Sequence, residues 1–233
     1  MTPASEHWAA AAAAEVERGL AALPACTTES VRALRRQLSK RLKAESARTV
    51  LDLAAELLER GTWATRFLAY ELINHHPGAL AGVDAARLGR LGRDMSGWAD
   101  VDMFACYVAG PVWRERGVAD SVVHGWTRSP DRWWRRAAVV STVALNSRAR
   151  GGRGDPDRTL AVCELVVDDR DDMVAKAVSW ALRELAKHDA VSVRRFVATH
   201  EARLAPRVLR EVRNKLTTGR KNPGGRGARP TRR

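Results

Sequence analysis

Two stretches of this chain repeat each other at an offset of 40 residues, and that repeat leaves little freedom for the fold. Asp131-Arg-Trp-Trp-Arg-Arg-Ala-Ala-Val-Val aligns with Asp171-Asp-Met-Val-Ala-Lys-Ala-Val-Ser-Trp, so Arg136 falls on Lys176 and Ala137 on Ala177. In the second copy Val174, Ala177, Val178, Ala181, Leu182 and Leu185 keep the three-four spacing of an amphipathic helix. Asp168, Asp169, Asp171 and Asp172 gather at its start, with Lys187 and His188 at its end. Both ends suit the helix dipole. An acidic start, small apolar residues and a period of this length mark stacked helix pairs, because one pair alone cannot bury its apolar face.

The same reading extends to the rest of the chain. Helices are expected over 5–23, with Ser5 as N-cap and Pro24 as a stop, over 28–43, over 46–60 up to Gly61, and over 63–75 up to Pro77. Further helices are expected over 84–93, 96–108 (ending before Gly110-Pro111), 118–126, 133–145, 155–167, 173–187, 191–200 and 206–216. Pro156 suits a first helical turn. Residues 147–154 read as a flexible, basic, Gly-rich loop. No stretch alternates apolar and polar residues as a strand would. The expected fold is therefore all-α: a right-handed α-solenoid of HEAT-like helical repeats, with a concave groove lined by the second helix of each pair. Residues 1–216 would form one domain and 217–233 a basic Gly/Pro/Arg-rich disordered tail.

Charge narrows the partner. The formal net charge is +13 and the sequence pI 10.8, which points to nucleic acid first and an anionic membrane second. Removing Arg220, Lys221, Arg226, Arg229, Arg232 and Arg233 leaves +7, so the domain itself is basic. Arg32, Arg35, Arg36, Lys40 and Lys43 cluster on one expected helix, either as a solvated face or as phosphate contacts. The tail lacks the apolar residues of a membrane anchor, no apolar run reaches spanning length, and the N-terminus lacks the basic region of a signal peptide. Cys26, Cys106 and Cys163 are far apart and form no C-x-x-C pair, so reduced cysteines are expected rather than a zinc site or disulfide framework.

Three constellations could carry chemistry. Trp98 and Asp102 stand four apart and share a helix face. Asp102 reads either as a cap or ion-pair partner, or as a carboxylate that stabilises a developing cation or orients water. Trp133-Trp134-Arg135-Arg136 continues into an apolar stripe, so the tryptophans read as core. Arg136 is either a phosphate clamp or the partner of Asp102. Lys176, Trp180 and Arg183 sit at three-four spacing on one helix, as a polyanion contact or as a core Trp beside solvated charges. Motifs for zinc proteases, serine hydrolases and nucleotide binding are all missing. Gly151–Gly154 follows a helix, which argues against a phosphate cradle, and His75-His76 read as a helix end rather than a metal site.

The order Trp98-x-x-x-Asp102, then Trp134-Arg-Arg136-Ala-Ala, then Lys176-Ala-Val-Ser-Trp180-Ala-Leu-Arg183-Glu resembles the AlkD family of DNA alkylation-repair glycosylases. The likeness covers roughly 63–216 and weakens before Trp63. It implies HEAT-like repeats and a monofunctional glycosylase that removes N3- or N7-alkylated purines from duplex DNA. In that resemblance Asp102 is the catalytic carboxylate, with Trp98 and Trp180 packed on the deoxyribose of the lesion. Arg136 and Arg183 match the family's DNA-contacting arginines, and Arg135 and Lys176 are expected beside them as DNA-binding cations. The resemblance implies no metal and no cofactor. The partner would be double-stranded DNA carrying alkylated purines, bound by a monomer in the cytoplasm, at the nucleoid. A non-catalytic HEAT-type scaffold that binds nucleic acid or protein is the alternative.

Overall fold

The computed structural model describes residues 3–223, with side chains from residue 7. Among the described residues helix is the only regular structure, 71% in all, and no strand forms. The N-terminal part holds α1 (Pro3–Ala21), α2 (Thr28–Arg41), α3 (Ala47–Glu59), α4 (Trp63–Asn74), α5 (Pro77–Ala81) and α6 (Ala85–Leu91). The C-terminal part holds α7 (Trp98–Phe104), α8 (Gly110–Arg114), α9 (Asp120–Trp126), α10 (Arg132–Asn146), α11 (Pro156–Leu165), α12 (Asp172–Leu185), α13 (Ala190–Thr199) and α14 (Pro206–Thr218). No helix of the described residues is long and apolar enough to cross a membrane.

Side-chain caps set most starts. Thr27, Ser46, Thr62, Asp84, Asp131, Asp155, Asp171 and Asp189 each accept a hydrogen bond from a backbone N–H of the first turn. Asp131 and Asp171 cap the two helices of the 40-residue repeat in the same way, through the N–H of Trp133 and of Met173. Helix α1 begins at Pro3, before the expected cap at Ser5, and the side chain of Ser5 lies outside the described ones. Glycines end two helices in the left-handed region, Gly61 after α3 at φ 69° and Gly219 after α14 at φ 70°.

Packing follows chain order. α4, α7 with its continuation, α10, α12 and α14 each pack on the next. α9 and α11 cover α10, while α11 and α13 pack against α12. At the N-terminal end α2 and α3 pack on α4. α4 and α10 are deeply enclosed: every residue from Ala64 to Ile73 and from Arg136 to Asn146 is buried. In α10 small residues make this possible, since Ala137, Ala138, Ser141 and Ala144 let neighbours approach on several sides.

Two expectations are corrected here. The helix that opens at Trp98 does not stop before Gly110-Pro111; its turns widen to a π-helix at Ala105–Ala109 and it continues to Arg114. Proline lacks an N–H, and in an unbroken α-helix its ring would press on the carbonyl four residues back. A wider turn relieves that clash, and the Gly110 N–H bonds to the Ala105 carbonyl instead. Gly110 is required for another reason: a Cβ there would stand 2.5 Å from Ala144 Cβ and 2.6 Å from the Ser141 carbonyl oxygen of α10.

The loop at 147–154 is pinned rather than flexible. After a 3-10 turn at Arg148–Arg150, the N–H of Gly152 bonds to Ser147 O, and those of Arg153 and Gly154 bond to Leu145 O, at 2.9–3.1 Å. These bonds satisfy carbonyls that the end of α10 leaves free. Gly152 has no room for a side chain, because a Cβ would lie 2.6 Å from the Leu145 carbonyl carbon. Of the expected tail, residues 224–233 lie outside the described residues. Its start folds back on α14, where Lys221 meets Glu211 at 3.4 Å.

Candidate functional site

Gly97 caps α7 in extended conformation, which makes Trp98 the first helical residue and leaves its side chain 59% exposed. One turn on, Asp102 lies on the same face. Its carboxylate meets Arg136, the residue at which α10 becomes buried. Arg136 Nε donates to Asp102 Oδ1 and Nη2 to Oδ2, each at 3.0 Å, in a bidentate fork. The third nitrogen, Nη1, donates to the Met173 carbonyl at 2.6 Å, in the first turn of α12. One guanidinium therefore joins α7, α10 and α12. The arginine side chain is 6% exposed and the aspartate 19%, so the pair is sealed on the arginine side and open on the carboxylate side.

Burial pushes the Asp102 carboxyl above its ordinary value. The Arg136 guanidinium, by charge and hydrogen bonding, and the charge of Arg150 pull it back without cancelling the rise. Each carboxylate oxygen gives one acceptor direction to Arg136, and ionised Asp has about four in all, so acceptor capacity remains on the open side.

The other sequence-marked residues have varied fates. Trp180 is partly buried on α12, packed against the core. Lys176, one turn earlier, pairs with Asp172 at 2.6 Å and remains partly exposed. Arg183 is half-buried: Nε donates to Ser179 Oγ at 3.2 Å, and that hydroxyl donates to Glu211 at 2.6 Å. Burial lowers the Arg183 pKa from its ordinary value, while Glu211 and Glu184 act the other way. Arg135 is held inside the protein, with Nε on Asp169 at 2.7 Å and Nη1 on the Ser129 and Pro130 carbonyls at 3.0 Å. It fixes the start of α10 to the turn before α12. Arg136 is likewise internal, the partner of Asp102. The structure thus assembles Trp98, Asp102 and Arg136, places Trp180 and Arg183 on the next helix, and leaves Arg135 facing acidic and carbonyl oxygens of the chain itself.

Trp134 joins Phe104 and Trp126 in an aromatic cluster, with centroid distances of 5.9 and 5.1 Å, as core reading requires. Trp133 lies under the Arg132 guanidinium at 4.9 Å. His75 caps α4 and His76 accepts from the Ala79 N–H, so both end or start helices. Among the described residues no three His, Cys, Asp or Glu side chains converge. The Cys106 and Cys163 thiols are buried, and burial pushes both up to about 12. Sequence reasoning did not single out Glu71, Tyr107 or Arg150, which gather with Arg32 and Arg35 beside Cys106, one turn beyond Asp102. Arg32 and Arg35 stood out only as part of a basic helix. Their partners are 36–75 residues away, beyond the reach of any local pattern.

No curated protein and no solved structure matches the chain. A model of the DNA alkylation repair enzyme family matches residues 11–216, which takes in Trp98 and Asp102, Arg136, and Trp180 and Arg183, together with every helix from α2 to α13 and nearly all of α14. That span is most of the chain, and the chain belongs to the DNA alkylation repair enzyme family.

Proposed function

We propose that the protein is a monofunctional DNA glycosylase that hydrolyses the N-glycosidic bond of N3- or N7-alkylated purines in duplex DNA. The observation that carries this reading is Asp102: a carboxylate fixed by a buried arginine, open on its far side, and next to an exposed tryptophan. In this reading α4, α7, α10, α12 and α14 form the inner wall of a solenoid, and DNA lies along it. An alkylated purine already carries positive charge, so it leaves without a general acid. The sugar then develops oxocarbenium character, and that charge is what a catalyst must stabilise.

A carboxylate about 4 Å from a unit positive charge, at an effective dielectric near 20, contributes roughly 4 kcal/mol, or about a thousandfold in rate. Arg136 draws on part of that charge, so the figure is an upper bound for Asp102. In return the guanidinium opposes the rise that burial causes and aims the carboxylate, so little reorganisation is needed as charge develops. The free acceptor directions on Asp102 suit the attacking water. An indole face beside the sugar adds on the order of 0.5–2 kcal/mol by cation–π attraction; Trp98 and Trp180 are the candidates. Arg183 and Lys176 supply positive charge for phosphates, which gives position rather than base specificity.

The test is base release from methylated duplex DNA, followed by chromatography, with wild type and Asp102→Asn side by side. Free 7-methylguanine or 3-methyladenine is expected from wild type only, with the variant still folded by circular dichroism and still able to bind duplex. Equal release by the variant would remove Asp102 from the mechanism. A second reading, DNA binding without catalysis, is favoured by one feature: both Asp102 oxygens accept from Arg136, as in a structural ion pair. It expects no base release from methyl or bulky cationic adducts alike, and strongly salt-dependent binding to undamaged DNA.

A further inference from the structure

One turn past Asp102 on the same helix lies a cavity of about 470 Å³ lined by Arg32, Arg35, Glu71, Cys106, Tyr107 and Arg150 among others. It faces three guanidinium groups and one carboxylate. Glu71, only 2% exposed, accepts from Arg32 Nε at 2.8 Å and from Arg35 Nε at 3.2 Å. Arg32 Nη2 donates to the Tyr107 hydroxyl at 2.9 Å. Arg150 stands over the Tyr107 ring with its carbon 5.8 Å from the centroid, and its Nε is buried with no hydrogen-bond partner. A buried, unpartnered guanidinium N–H is costly unless something completes it.

The positions are built, not incidental. The π-turn begins between Asp102 and Tyr107, and the wider turn carries Tyr107 to the side that meets α2. Arg150 is carried by the pinned loop: Arg114 Nη1 donates to its carbonyl at 2.6 Å, and Gly151 turns the chain at φ 80°. Glu71 groups two arginines but neutralises only one. Arg35 uses Nε alone among the described residues, so its Nη groups remain available, as does Arg32 Nη1. Net positive charge and free planar forks around a cavity of this size suit a tetrahedral oxyanion, above all a phosphate. Arg150 also reaches Asp102 through its charge, so an anion in the cavity would lie close to the carboxylate.

We propose that this cavity seats one phosphodiester of the DNA strand that carries the damaged nucleotide, with Arg35 and Arg150 as its direct ligands, and Arg32 held for it by Glu71 and Tyr107. The site registers the strand relative to Asp102. This rests on the reading of duplex DNA as substrate, and it goes further by assigning a specific phosphate seat.

The experiment measures affinity for an undamaged duplex by fluorescence anisotropy over a range of salt, with the full chain. Arg150→Gln and, separately, Arg35→Gln are expected to weaken binding roughly tenfold and to lower the salt slope by about one unit. Arg153→Gln removes the same charge from an exposed position near by and is expected to stay within about twofold. Arg150→Gln gives up the stacking on Tyr107 and a long Nη1 contact to Ser147 Oγ, so the melting temperatures of all variants are measured beside the affinities, and Arg35→Gln provides the second check. Equal affinity for all four proteins overturns the proposal. So does inorganic phosphate raising the melting temperature of wild type but not of Arg150→Gln while their duplex affinities match, since the cavity would then serve a free anion. Loss of duplex affinity in the two variants, with no base release by wild type, keeps this proposal and refutes the glycosylase reading instead.

Discussion

The Asp102–Arg136 pair sets two opposite demands on one carboxyl group. Burial raises its pKa, so the folded protein holds the proton more tightly than the unfolded chain does. The contribution of Asp102 to stability is therefore complete below the ordinary carboxyl value of 3.8 and is lost as pH rises through the raised folded value. In the proposed glycosylase base release runs the other way, because only the carboxylate can stabilise a cation. The advantage in melting temperature of wild type over Asp102→Asn is expected to shrink with rising pH over that window, while single-turnover release grows; a gap that widens with pH would contradict the burial argument. Arg136→Ala leaves a largely buried carboxylate unpartnered and is expected to cost about 3 kcal/mol in urea denaturation. It should also move the acid limb of the activity profile to higher pH. None of this is visible in the local sequence. The spacing of Trp98 and Asp102 placed both on one face, but the pairing of Arg136 with Asp102 depends on how α7 and α10 cross, which no local pattern shows.

At the scale of elements, the acidic starts of the repeated helices were legible. Asp131, Asp155 and Asp171 mark the starts of α10, α11 and α12 because a short acceptor side chain satisfies first-turn N–H groups wherever it precedes a helix. The continuation through Gly110-Pro111 was not legible, since both residues signal a stop. The π-turn and the close approach of Gly110 to α10 override that signal, and both are tertiary in origin. Gly110→Ala would drive a methyl group into Ala144 and the Ser141 carbonyl, and a destabilisation of about 1–3 kcal/mol is expected from chemical denaturation. A change within 0.5 kcal/mol would show that α10 can yield, contrary to its uniform burial. Arg135 and Lys176 illustrate the same limit from the other side. A cation on a helix face reads as available, but Asp169, in the turn before α12, holds Arg135, whereas Lys176 only shares an exposed pair with Asp172 and keeps its charge at the surface.

At the scale of the whole molecule, the stack of helices ends on α14, and its attachment there depends on charge. Burial raises the pKa of Glu211, but the Ser179 hydroxyl, Lys221 and Arg183 more than offset it and hold the group below 4.5. Its stabilising contribution is present above that value and is lost as pH falls through the lower folded one. The stability of wild type over Glu211→Gln is expected to vanish in that acid window, measured by thermal unfolding at a series of pH values; a gap independent of pH would leave the hydrogen bonds, not the charge, in control. The all-helical class was readable from the amphipathic spacing and the 40-residue repeat, whereas the pocket formed by Arg32, Arg35 and Arg150 needed three distant segments to meet. The reach of Arg136 from Asp102 to the Met173 carbonyl has a consequence in time. During synthesis Asp102 and Arg136 leave the ribosome before α12 exists, so a chain interrupted there has its carboxylate but not the third anchor that holds the arginine in place. Competence arrives only when the segment from Asp171 onward has emerged and docked. An incomplete chain lacks the assembled centre on which the proposed base excision depends.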